Sequence, residues 1–203
     1  MTLVYIETNF LMSYATGRDL GTNELVTNPP ASISFIIPGL CFMEVFSTFE
    51  SERKRHNKLI NSFQHENATA KRNVVSPHSQ PFINHLKQAE VGLEEIFNEF
   101  ETRLYHVIQL LSTNAEIIES TSEILQLSFF NRLIDQEPTD NLILASILHH
   151  ANQHLQNDKV LLTENRKDFE PNTFASSAIQ EAGIRYFADA SKFLEWHIAQ
   201  SKS

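Results

Sequence analysis

The stretch VYIETNF, residues 4–10, decides how the rest of the chain is read. Leu3 to Ile6 suit a strand covered on both faces, yet the chain runs straight into Glu7, Thr8 and Asn9 before apolar residues resume at Phe10. A strand that ends in solvent usually closes on Gly, Pro or Ser among polar neighbours. A carboxylate, a hydroxyl and an amide at the tip of a core strand point instead to a polar site built on a sheet edge.

Three further segments read as strands: SISFIIP (Ser32–Pro38), KVLLT (Lys159–Thr163) and GIRYF (Gly183–Phe187). Helical sequence separates them, which predicts an α/β fold with a mainly parallel sheet. Cys41 to about Ile60 reads as a helix entered just after Pro38 and Gly39. From Pro81 to Leu111 the residues Phe82, Leu86, Ala89, Leu93, Ile96, Phe100, Leu104, Val107 and Leu111 alternate steps of three and four, the seam of one long amphipathic helix. A helix over Ser122–Ile134 is expected to fold back on it, and another to run from Asp140 to about His154. Asn61 to Gln80 has no clear period and reads as a loop or frayed helix.

The 203 residues suit one domain over 1–203, with a helical insertion at about 80–135. Apolar residues are 41% of the chain, enough for a substantial core. The start lacks the charged, apolar pattern of a signal peptide, and no stretch approaches a membrane span, so a soluble cytoplasmic protein without a membrane partner is expected. Cys41 is the lone cysteine, which excludes an internal disulfide and a cysteine-based zinc site. Net charge is -9, from 16 Lys and Arg against 25 Asp and Glu. Much of the excess falls between Gln80 and Glu137, whereas Glu50 to Arg72 is basic. Local charge is what a substrate would feel.

Each apolar unit carries an acid at a telling place. Glu7 ends the first strand, and Glu44 sits among Phe42, Met43, Val45 and Phe46 near a helix start. Asp140 lies at the N-terminus of another helix; Thr163, Glu164, Asn165 and Asp168 follow the third strand. Carboxyl ends of parallel strands and N-termini of the following helices share one edge, so these residues can converge. Singly, Glu7 could solvate a strand end and Asp140 could be a plain helix cap. Several carboxylates together repel, and burying them is costly without a positive partner. Mg²⁺, which takes oxygen ligands and keeps several waters, suits such a cluster and suits phosphodiester hydrolysis.

The ordered set VYIETNF, IPGLCFMEVFS, PTDNLILASILHHA and VLLTENRKDF resembles the four acidic motifs of the PIN-domain family of metal-dependent ribonucleases. The resemblance covers about residues 1–50 and 136–190. It implies a PIN-like three-layer fold and hydrolysis of single-stranded RNA, leaving a 5′-phosphate and a 3′-hydroxyl. Glu7, Glu44, Asp140 and Asp168 would form the catalytic set. Mg²⁺ or Mn²⁺ would be held by Glu7, Glu44 and Asp140, with Asn165 or Asp168 assisting, while Thr8, Asn9 and Thr163 brace the acids. Two positions depart from the pattern: Glu7 stands where the family typically has Asp, and Asn165 where many members have Asp. They keep alive a degenerate PIN-like domain that binds RNA or protein without cleaving. Many relatives are toxins, so an antitoxin-like protein partner and a homo-oligomer are also in view.

Arg53, Lys54, Arg55 and Lys58 are candidate contacts to RNA phosphates, with a solvated helix face as the plain alternative. His149, His150 and His154 suggest zinc by spacing, but without the metalloprotease glutamate they read as solvent-facing. Trp196 reads as packing in the last helix. A phosphate-accepting receiver-like module fits poorly, since paired early acids and a strand-end Asp are missing.

Overall fold

The computed structural model describes residues 1–134, 137–169, 171 and 173–201. The expected end of the insertion, Asp135, lies outside the described residues. In chain order the elements are β1 (Thr2–Ile6), α1 (Thr8–Thr16), α2 (Leu20–Thr27), β2 (Ile33–Pro38), α3 (Gly39–Arg72), α4 (Ser79–Asn114), β3 (Glu116–Ile118), α5 (Ser122–Phe130), α6 (Pro138–Gln153), β4 (Asp158–Leu162), α7 (Phe174–Glu181), β5 (Ile184–Phe187) and α8 (Ala190–Ser201). The strands form one sheet in the order β3-β2-β1-β4-β5, and every pairing is parallel.

Burial explains the strand composition. Leu3, Val4, Tyr5 and Ile6 are at most 3% exposed, because β1 is the central strand and helices cover both faces. The chain builds outward from β1 to β2 and β3, then crosses back to β4 and β5. The order therefore reverses between β1 and β4, where the carboxyl edge opens a crevice. The register pairs Ile6 with Leu162, so Glu7 and Thr163 leave the sheet side by side. β3 is a three-residue edge strand (Glu116, Ile117, Ile118), too short for the sequence to display a period.

The sequence expectation differs from the structure around the insertion. Residues 61–72 are not a loop: α3 continues to Arg72 and α4 begins at Ser79, so two helices of 34 and 36 residues form an antiparallel arm. At 1.5 Å per residue each runs about 50 Å. The partner of α4 is α3, together with α1, whereas Ser122–Phe130 packs on α6. In the outer half of the seam Leu86 and Leu93 keep the expected face, but the positions on either side of them are displaced by one residue. Ile83 is buried and Phe97 is packed, while Phe82 and Ile96 are 46% and 67% exposed. Phe97 is drawn inward by stacking on Phe49 (5.8 Å between ring centroids) and on His56 (4.3 Å). Nearer the sheet, Phe100, Leu104, Val107 and Leu111 keep the expected face and join the main core.

Candidate active site

Glu7 is the N-cap of α1, in extended backbone conformation (φ −135°, ψ −173°). One carboxylate oxygen accepts the Asn9 backbone N–H at 3.0 Å, and the other accepts the Thr163 hydroxyl at 2.5 Å. The longer side chain thus closes its own helix and reaches across to the neighbouring strand end. Thr163 Oγ1 in turn accepts the Asn165 N–H at 3.0 Å, which bends the chain after β4. Thr8 is buried, and its hydroxyl donates to Glu44, one turn into α3. The buried Cys41 thiol lies beside them, pushed up by burial and by the nearby charges of Glu7 and Glu44.

Asp140 stands in the first turn of α6, and its approach is fixed by Asn141, which is 4% exposed. The Asn141 side-chain oxygen accepts the Leu133 and Ile134 N–H groups at 2.9 and 3.2 Å. Its amide donates to the carbonyls of Ser128 and Asn131 at 2.7 and 3.2 Å. This one side chain ties the end of α5 to the head of α6. Beyond β4, the Asn165 amide donates to the Asp168 carboxylate at 2.6 Å, and the Asp168 N–H returns to Asn165 Oδ1 at 3.4 Å. Glu7, Asp140, Thr163 and Asn165 line one cavity, floored by Ile143, Leu144, Leu161 and Phe169.

The charges at this edge oppose one another. Burial pushes the Glu7 carboxyl up to about 7, against the lowering by its Thr163 and Asn9 hydrogen bonds and with Asp140 and Glu44 adding to the rise. Asp140 is pushed up to about 6 by burial, then by Glu44, Asp168 and Glu137. The helix N-terminus would by itself favour the ionised Asp140, so desolvation and like charge win. Among the described residues, none of Glu7, Glu44, Asp140 and Asp168 makes an ion pair with Lys, Arg or His.

A hard divalent cation fits this donor set, since carboxylates from the β1–α1 junction, α3, α6 and the turn after β4 lie near enough to raise one another's proton affinity without a compensating positive charge. The fit is open rather than tight. Among the described residues, the three donors that come within 4.8 Å of one another are Glu116, His150 and His154, not three of these carboxylates. A cation sharing one or two carboxylates and retaining waters matches the wider spacing.

The other predicted site residues fall elsewhere. Arg53, Lys54, Arg55 and Lys58 lie on α3, about 14 to 21 Å beyond Glu44 along the helix. Arg53 is held by Glu50 and lies over the Phe49 ring; Arg55 pairs with Glu52 at 2.7 Å. Lys54 and Lys58 make no ion pair among the described residues. His150, expected to face solvent, is 6% exposed and bonded to the Tyr5 hydroxyl at 2.9 Å. Sequence reasoning also passed over Asn141; an amide directly before the apolar run of α6 was the available signal.

The PIN-domain family profile matches residues 4–169, a span that includes all four acids. Comparison with curated proteins finds no match. No helix among the described residues is long and apolar enough to cross a membrane.

Proposed function

The chain belongs to the PIN-domain family, whose members are generally nucleases, and from that premise we propose that it is a metal-dependent endoribonuclease acting on single-stranded RNA. One observation carries the reading: half-buried, mutually repelling carboxylates meet at the β1–β4 switch point with no cation paired to them among the described residues. Glu7, Glu44 and Asp140 hold Mg²⁺ or Mn²⁺, with Asn165 or Asp168 assisting. A cation bound there supplies an activated water and neutralises charge on the scissile phosphate.

The protein's own contribution is placement. The Thr163 hydroxyl and the Asn9 N–H fix the two Glu7 oxygens, and Thr8 fixes Glu44. Asn165 holds Asp168 toward the edge. Lys54 and Lys58, free of ion pairs among the described residues, contact RNA phosphates that extend from the cleft along α3, with Arg53 and Arg55 weaker because acids already hold them.

A second reading, a PIN-like domain that binds RNA or protein without cleaving, draws on the open spacing of the carboxylates. Cleavage of an unstructured RNA with Mn²⁺, comparing wild type with Asp140→Asn, separates the two. The nuclease reading expects a loss of at least 10²-fold in the variant. Inert wild type across several unstructured RNAs would sink it.

A further inference from the structure

About 15 Å down α6 from Asp140, the sheet and helix bring together a second set of donors that the acidic site does not use. We propose that Glu116, His150 and His154 form a transition-metal site of the Zn²⁺ class, separate from the Mg²⁺ or Mn²⁺ site, that clips the edge strand β3 to the C-terminal end of α6. It does not depend on the nuclease reading.

The donor geometry carries the proposal. His150 lies in the last turn of α6 and His154 is the residue that caps its C-terminus, with rings stacked at 4.1 Å between centroids and 16° between planes. His154 Nδ1 lies 2.9 Å from the His150 carbonyl oxygen. A carbonyl can only accept, so Nδ1 carries the proton and Nε2 presents a lone pair. His150 is oriented the same way round. Its Nδ1 meets the fully buried Tyr5 hydroxyl at 2.9 Å, and its Nε2 faces the Glu116 carboxylate at 3.1 Å. Both histidines therefore have Nδ1 occupied by a protein partner, the arrangement that fixes tautomer and ring direction in imidazole metal sites. The donor atoms of Glu116, His150 and His154 all lie within 4.8 Å of one another.

Metal–nitrogen bonds of about 2.0–2.1 Å place two ligands on a tetrahedral ion roughly 3.4 Å apart. Closing the gap takes a side-chain movement on the order of 1 Å and a turn of the His154 ring out of the stack, because near-parallel rings do not aim their in-plane lone pairs at one ion. Glu116, whose side chain is 53% exposed, and the half-buried His154 can supply it, while His150 stays anchored. Two imidazoles and one carboxylate select Zn²⁺, Cu²⁺ or Ni²⁺ over Mg²⁺, which prefers all-oxygen sites. The open side at Glu116 leaves room for water as the fourth ligand. The competing arrangement is a protein-only chain, with His150 Nε2–H donating to Glu116 and Tyr5 donating to Nδ1, and a titration distinguishes it.

The test is a Co²⁺ titration of the full chain followed by visible absorption, with Zn²⁺ displacement, on wild type and on His154→Ala, Glu116→Gln, Tyr5→Phe and Asp140→Asn. Circular dichroism confirms that each variant is folded. Wild type and Asp140→Asn are expected to bind one Co²⁺ with the intense bands of a four-coordinate ion, displaced by Zn²⁺ and not by Mg²⁺. His154→Ala and Glu116→Gln should each weaken binding at least tenfold, and Tyr5→Phe about 10- to 100-fold through loss of the ring's anchor. No such bands in wild type, or equal binding by folded His154→Ala, would overturn the site and leave the hydrogen-bonded chain.

Discussion

Glu7→Gln separates the cost of the acidic site from its use. In the metal-free protein the Glu7 carboxyl stands at about 7 against an ordinary 4.5. A raised carboxyl means that the folded chain holds a proton which the unfolded chain releases. Stability from this group is therefore full below pH 4.5, falls as pH rises from 4.5 to 7, and stays low above that. The displacement corresponds to at most about 3 kcal/mol. For a chain of this length, with about 2–4 °C per kcal/mol, that is roughly 6–12 °C in melting temperature. Gln keeps the shape and cannot ionise; its oxygen can accept from Asn9 N–H while its amide faces Thr163. Metal-free Glu7→Gln should thus match wild type near pH 4 and melt several degrees higher at pH 8. Adding Mg²⁺ at pH 8 should raise wild type by mass action and leave the variant nearly unmoved. Differential scanning fluorimetry across pH, with and without Mg²⁺, reads both. Equal melting of the two metal-free proteins at pH 8, or an equal Mg²⁺ response, would refute the claim that Glu7 is a repelled, metal-relieved carboxylate.

The same proton competes with metal, so Mn²⁺-dependent kcat/KM should fall about tenfold from pH 8 to pH 6 through Glu7 alone, and more steeply below pH 6 as Asp140, at about 6, joins it; a flat profile down to pH 5 counts against both as ligands. Asn141→Ala strips the Leu133 and Ile134 N–H groups of their acceptor and should cost about 2–4 kcal/mol in urea unfolding, an unchanged midpoint meaning that the α5–α6 turn is held otherwise. Replacing Lys54 and Lys58 together by Ala should lower the slope of log affinity against log salt by roughly 1.4 for unstructured RNA, and an unchanged slope would remove α3 from the RNA path. Glu7→Asp withdraws the carboxylate from Thr163 by roughly one bond length and should reduce cleavage on the order of 10²-fold with the fold intact, measured as single-turnover rate.

What the sequence made legible follows from where the information sits. The β1, β2, β4 and β5 segments were readable because doubly covered strands are continuous apolar runs, and the acids were readable because they interrupt those runs. The α3–α4 arm was not: residues 61–72 are polar on most faces, and α3 there is supported by α4 rather than by a period of its own, as the Gln64–Glu90 hydrogen bond at 2.9 Å illustrates. The one-residue displacement within the outer seam turns on which phenylalanine Phe49 and His56 stack against, a choice made between two helices and invisible within one. His150 was misplaced for a similar reason. Its partners, Tyr5 and Glu116, lie 145 and 34 residues away in the chain.

The two departures from the family pattern make physical sense together. An aspartate at position 7 would cap α1 as readily, but its carboxylate would stop about one carbon–carbon bond short of β4. Glu7 spans that distance because the β1–β4 register sets Glu7 and Thr163 level, and its second oxygen lands on the Thr163 hydroxyl. Thr163 then positions the Asn165 backbone, and the Asn165 amide holds the Asp168 carboxylate. The charge absent at position 165 is therefore carried by Asp168, whose field Asp140 feels. Lengthening the first acid and moving the last one keep four carboxylates at the edge, linked by a chain of hydrogen bonds from Asn9 through Glu7, Thr163 and Asn165 to Asp168. These donors fix where the half-buried charge lies, which is what the proposed metal site requires.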